Sequence, residues 1–244
     1  MRTFRAELHV HTVLSPCAGV EMIPPLIVEQ AISQGITLLA ITDHNASANV
    51  EAVMQAARGT SLSVLPGMEM QTHEEVHLLC LFDTLDQLAA WQKTVDDRLP
   101  VIPNRTHLFG EQFVVDATGE FIRREERLLL NSVKIELGDA VKRVSSLGGL
   151  AIPAHVDRKA NGLMELLGLL PPGFEALEIS RHITPLAVRE KYPFIGDIPL
   201  LQNGDVHYLD GFLGVTEFEL ESLTIADIRK ALNGQDGRAV RICY

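Results

Sequence analysis

Cysteine is scarce and poorly placed for cross-linking: Cys17, Cys80 and Cys243 are the only three in 244 residues and lie far apart. That odd, dispersed set excludes a disulfide framework and points to a reducing, cytoplasmic setting. Long apolar runs are also missing, and none approaches the ~18 residues that would cross a bilayer, so no membrane partner is expected. Residues Met1 to Glu7 lead straight into the first polar motif, which leaves no room for a signal peptide. Basic residues are in deficit, 21 Lys and Arg against 32 Asp and Glu, for a net charge of −11. Nonspecific binding to a nucleic acid backbone calls for a basic face, so long nucleic acid is not an expected partner. Internal repeats and low-complexity segments are absent as well.

What the chain does have is apolar content, 46% hydrophobic over 244 residues, enough to bury a sizeable core in one domain. Strand-like runs alternate with amphipathic stretches, which predicts parallel strands joined by helices. Phe4 to His11 reads as a first strand, and Pro24-Pro25 opens a helix that Gly35 closes. Ile36 to Thr42 reads as a buried strand ending in Asp43-His44, and Ser61 to Leu65 as another, after which Gly67-Met68-Glu69-Met70 begins a polar loop. Val76 to Phe82 is a strand with His77 near its start; Leu150 to Ile152, Ala176 to Ile179 and Leu200 to Gln202 follow, with a last strand around Gly214 to Leu220. The alternation breaks over about 99–127, where Pro100, Pro103 and a run turning at Asp116 to Gly119 predict an inserted hairpin flap.

His9-Val-His11 puts two imidazoles on one face of the first strand, able to reach one metal ion. Chance alone supplies roughly a third of such a pair in a chain with nine histidines, so the motif needs company. Asp43-His44, Glu69, His77, Pro153-Ala154-His155 and Asp205-Val206-His207 supply it, each at or beside a predicted strand end. Parallel α/β folds gather such ends on one rim. Imidazole and carboxylate together suit Zn²⁺, Mn²⁺ or Fe²⁺, and a carboxylate such as Glu69 could bridge two ions. His73 and His107 match no ligand position and read as loop residues.

H-x-H-T at the start, T-D-H after the second strand, G-x-E followed by a strand histidine, P-A-H and a late D-x-H, in that order, resemble the motifs of the PHP family, the polymerase and histidinol phosphatase domain. The resemblance implies a single domain over 1–244, a distorted (β/α)7 barrel with the flap inserted, holding two or three divalent ions and hydrolysing phosphate esters. Carried over residue by residue, it assigns His9, His11, Glu69 and Asp205 to a first metal, Glu69, His77 and His155 to a second, and His44 and His207 to a third. The family often has an acidic residue or histidine where this chain has Pro16, in Ser15-Pro16-Cys17. Two readings of Cys17 stand: a thiolate that takes that place, or a small buried hydrophobe. Asp43 and Arg158 are the candidate catalytic residues, Asp43 by orienting an imidazole and Arg158 as a phosphate clamp, with Arg181 and His182 as further substrate-binding groups. A flap over the barrel mouth favours a small phosphorylated metabolite or nucleotide. The rival readings are a non-catalytic metal-binding module serving a partner protein, and a nuclease acting on short oligonucleotides.

Overall fold

In the computed structural model, which describes residues 1–244, the elements in chain order are β1 (Arg2–Val10), α1 (Pro24–Ser33), β2 (Leu38–Ile41), α2 (Val50–Ala56), β3 (Ser63–Gln71), β4 (His77–Leu81), α3 (Leu85–Asp96), α4 (Thr106–Phe109), β5 (Phe113–Val115), β6 (Phe121–Arg124), α5 (Leu137–Ser146), β7 (Leu150–Pro153), α6 (Leu163–Leu167), β8 (Leu177–Ile179), α7 (Pro185–Lys191), β9 (Leu200–Gln202), β10 (Thr216–Leu220), α8 (Ile225–Leu232) and β11 (Ala239–Ile242). The expected alternation is present, with two differences. Glu69 lies on β3 and not in a polar loop, because β3 continues past Gly67; a Cβ at Gly67 would come within 2.8 Å of the Ile41 carbonyl oxygen. The C-terminal strand β11 was not anticipated, and it pairs antiparallel with β10 at the sheet edge.

Strands run in the order β11-β10-β1-β2-β3-β4-β7, with β8 and β9 as a separate pair. β1, β2 and β3 are parallel, as are β8 and β9, but β4 is antiparallel to both β3 and β7. The all-parallel expectation fails there for a simple reason: residues 72–76 are too short for the crossover that a parallel neighbour requires. Two backbone links complete the circuit. Val156 N–H donates to the Glu178 carbonyl beside β7 and β8, and beyond β9 Val206 exchanges two 2.9 Å hydrogen bonds with His9 and His11. The circuit β1, β2, β3, β4, β7, β8, β9 is a distorted (β/α)7 barrel.

An apolar cluster of 18 buried residues, among them Leu8, Leu38, Leu65, Leu79, Ile152 and Leu201, fills the barrel and extends to β10 and α8. A larger one of 43 residues packs the helices onto the outside. Register between β1 and β2 slips between Glu7 and Val10. Leu8 belongs to the inner cluster and Val10 to the outer one, so the strand changes faces within the slip and delivers His9 and His11 inward.

The predicted hairpin exists as β5 and β6, turning where Asp116 caps Thr118 and Glu120. It is fastened to the loops that follow β1 and β2: Asn49, at the head of α2, donates to the Phe113 carbonyl and accepts from Val115 N–H, and Phe113 N–H donates to the Val13 carbonyl.

Candidate metal centre

Each predicted ligand reaches the centre by a local device. His9 and His11 come from the end of β1, His44 from the loop after β2, Glu69 from β3, His155 from the end of β7, and Asp205 and His207 from the loop after β9. His77 opens β4, and only because β4 runs antiparallel does that first residue stand on the rim where the other strands end. His155 and Asp205 have φ values of 30° and 50°, left-handed backbone that non-glycine residues adopt rarely and that concentrates at functional sites.

Glu69 is the hub. Its Oε1 lies 3.2 Å from His9 Nε2, 3.2 Å from His155 Nε2 and 2.8 Å from His77 Nδ1; its Oε2 lies 2.9 Å from His44 Nδ1 and 3.4 Å from His11 Nε2. Asp205 Oδ1 stands 3.2 Å from His9 Nε2 and 3.3 Å from His11 Nε2, and the His207 ring stacks on His11 with centroids 4.1 Å apart. All eight residues therefore converge. Donor atoms of seven of them fall into three overlapping groups, His9, His11 and Asp205; His44, Glu69 and His77; and His11, His44 and His207, and His155 joins them at Glu69.

Hydrogen bonding does not account for this crowd. His9 Nε2, His11 Nε2, His77 Nδ1, His155 Nδ1 and Glu69 Oε2 are buried without a hydrogen-bond partner, although charged neighbours stand within 3.4 Å of most of them. Orphaned buried polar atoms are costly and call for an explanation. Donors bound to one ion at about 2.1 Å sit ~3–3.5 Å from each other, which is the spacing found here. The cluster fits a metal site. Burial alone would push the Glu69 and Asp205 carboxyls up; His77, His9 and His44 hold Glu69 well below the usual carboxylate range, and His9 and His11 do the same for Asp205.

A second layer fixes the imidazoles. A carboxylate can only accept, so Glu178 Oε2, 2.9 Å from His9 Nδ1, sets the proton on Nδ1 and leaves the Nε2 lone pair facing Glu69 and Asp205. Glu178 also accepts from His155 N–H at 2.9 Å and from Asn203 Nδ2 at 2.7 Å. Around His11 a relay does the same work: Asp43 accepts from Ser15 Oγ at 2.7 Å, and Ser15 Oγ in turn accepts from His11 Nδ1 at 3.0 Å. Sequence reasoning missed Glu178 and Ser15. A lone acid inside the apolar run Ala176-Leu177-Glu178-Ile179 was a usable signal; nothing marked Ser15.

Asp43 is not where a catalytic group would have to be. It is fully buried and spends both oxygens on Thr12 and Ser15, so it can touch no substrate and is a positioning residue. Arg158, Arg181 and His182 do face open space, lining a cavity of about 650 Å³ with His155, Asp205 and His207. A smaller cavity of about 370 Å³, lined by His44, Glu69 and His77, shares Cys17, Arg158 and Asp205 with it. The Arg158 guanidinium pairs with Asp205 Oδ2, and Arg181 donates to the Gly211 carbonyl. His73 and His107 are exposed and belong to none of the donor groups. None of residues 99–127 lines either cavity, and the segment reaches the site's edge at Gly110, which packs on Pro16 beside Cys17. Three of its arginines are already paired, Arg123 with Glu125, Arg124 with Glu111 and Arg127 with Asp96.

Comparisons with known proteins agree with this geometry. The PHP domain model matches residues 7–156. A PolC-type DNA polymerase III of Oceanobacillus iheyensis is 30% identical over 156 residues, which are 62% of this chain but 9% of the polymerase. The lesion-specific endonuclease PfuEndoQ from Pyrococcus furiosus has the same fold, with a TM-score of 0.76 and 19% identity over 98% of this chain and 58% of that one. Endonuclease Q in complex with a 27-mer duplex, an abasic lesion at its active site, gives a TM-score of 0.70 at 19% identity with the same coverage. This chain thus spans just over half the length of those endonucleases and a small part of the polymerase. The complex corrects the inference that net charge rules against long nucleic acid, since this fold serves a protein that holds a DNA duplex. Net charge averages the whole surface, whereas a phosphate backbone meets only the rim.

Proposed function

The chain belongs to the PHP domain family, and we propose that it is a hydrolase that cleaves a phosphate ester with two or three divalent ions. One observation carries the reading: four buried ligand atoms, His9 Nε2, His11 Nε2, His77 Nδ1 and Glu69 Oε2, have no hydrogen-bond partner, and the three imidazole nitrogens stand 2.8–3.4 Å from the Glu69 carboxylate, the spacing of ligands on shared ions. His9, His11, Glu69 and Asp205 would hold one ion, Glu69, His77 and His155 a second, and His44 and His207, which fall in one donor group with His11, a third. Zn²⁺, Mn²⁺ or Fe²⁺ bound there supplies Lewis acidity, which activates water and neutralises phosphate oxygens.

The chain's own residues do the rest. Glu178 and the Asp43–Ser15 relay keep each Nδ1 protonated and each Nε2 free, so His9 and His11 enter the reaction preoriented. Arg158, Arg181 and His182 line one wall of the larger cavity, where a phosphate would receive their charge-assisted hydrogen bonds. A cavity of about 650 Å³ suits a phosphorylated metabolite or nucleotide. A second reading, a phosphodiester within a nucleic acid, is favoured by the absence of flap residues from both cavity linings and by the endonuclease that shares the fold over 98% of this chain.

The test is to measure metal content, then to offer phosphomonoesters, nucleotide bisphosphates, phosphodiesters and a duplex with an abasic site, each with Mn²⁺, Zn²⁺ and Fe²⁺, using His9→Ala as control. Turnover of one class well above the control is expected. A chain that retains metal yet turns over no ester is a non-catalytic module, and one that retains no metal defeats the reading altogether.

A further inference from the structure

We infer that Cys17 is a metal ligand, a thiolate that completes the ion site of His44 and His207 and makes that site selective for thiophilic metals. The inference rests on the metal centre proposed above. His207 Nδ1 donates to the Asp205 carbonyl at 2.9 Å, which leaves the Nε2 lone pair outward, and that lone pair meets Cys17 Sγ at 3.1 Å. His44 and His207 belong to one donor group, and Cys17 lines the smaller cavity together with both of them.

Pro16 explains why the ligand sits at position 17. Its backbone oxygen packs so closely on Gly110 that a Cβ there would overlap it, and the side chain itself offers no donor. The loop is therefore pinned at Pro16, and the next side chain turns to His207. Two nitrogens and a sulfur form a softer set than the nitrogen and oxygen ligands around Glu69, and thiolate favours Zn²⁺ or Fe²⁺ over Mn²⁺. On binding, the thiol proton is released to solvent and the sulfur lone pair forms the metal bond.

The full chain loaded with Co²⁺ tests this without any assay of turnover. A near-ultraviolet thiolate-to-cobalt charge-transfer band should appear, and it should be absent from Cys17→Ser, which should also hold one cobalt fewer. Iodoacetamide should label Cys17 in the stripped chain and fail to label it once Zn²⁺ is added, while Cys80, buried in the core, stays unlabelled in both. Cobalt bound with visible bands but no charge-transfer band, or Zn²⁺ that leaves Cys17 fully alkylated, overturns the thiolate ligand and leaves the rest of the centre standing. A chain that binds no cobalt overturns both. The wild-type spectrum decides the matter even if the serine variant folds poorly.

Discussion

At the scale of single residues, the centre depends as much on what holds the imidazoles as on the imidazoles. Glu178→Gln keeps the shape but exchanges an obligate acceptor for an amide that can present a donor to His9 Nδ1. Metal affinity is expected to fall roughly 10- to 100-fold, measured by competition with a chromophoric chelator. Asp43→Asn acts on His11 through Ser15 and should weaken binding in the same direction without changing KM. Arg158→Ala should show the opposite signature: KM for the phosphate ester rises by about 10- to 100-fold, the loss of one charged hydrogen bond, while metal content stays put. A KM unchanged in that variant would place the phosphate elsewhere. The eight residues that converge on Glu69 and Asp205 were legible in the sequence because each is a polar group punctuating an apolar run. Glu178 carried the same signal but sits mid-strand, away from the strand ends where ligands were sought.

At the scale of elements, β3 has little room at its centre. It carries Glu69 two residues beyond Gly67, where a methyl group would meet the Ile41 carbonyl at 2.8 Å and Leu81 and Thr42 carbons at 3.0 Å. Gly67→Ala should destabilise the chain by about 1–3 kcal/mol in urea denaturation and lower metal content with it. Thr84→Ala is the contrast. It removes a capping box at the head of α3, worth about 0.5–2 kcal/mol, far from the rim, and metal content should not change. Periodicity revealed most strands and helices, but it says nothing of strand direction: an apolar run such as Leu78-Leu79-Cys80-Leu81 reads alike both ways. Whether His77 opened onto the ligand rim or the opposite one was decided by the short connection from β3.

At the scale of the whole molecule, metal and fold are linked. Ions that bind the native chain and not the unfolded one stabilise it by about 2.7 kcal/mol at a hundredfold excess over Kd, which for a chain of this size raises Tm by about 5–10 °C. Calorimetry with and without a chelator should show that gap, and the gap should close as the pH falls, because protons compete with metal for imidazole nitrogens. An equal Tm in both conditions at neutral pH would count against a metal centre.

By itself the sequence determined the chemistry on offer: which side chains could bind metal, in what order, and that alternating strands and helices would bring strand ends to one rim. Those properties are written in local patterns of burial and polarity. The tertiary structure alone decided the attachment of the flap to the loops after β1 and β2 and the placing of the Glu178 carboxylate 2.9 Å from a histidine 169 residues away in the chain. Such contacts depend on which distant segments meet in space, and no local pattern encodes them.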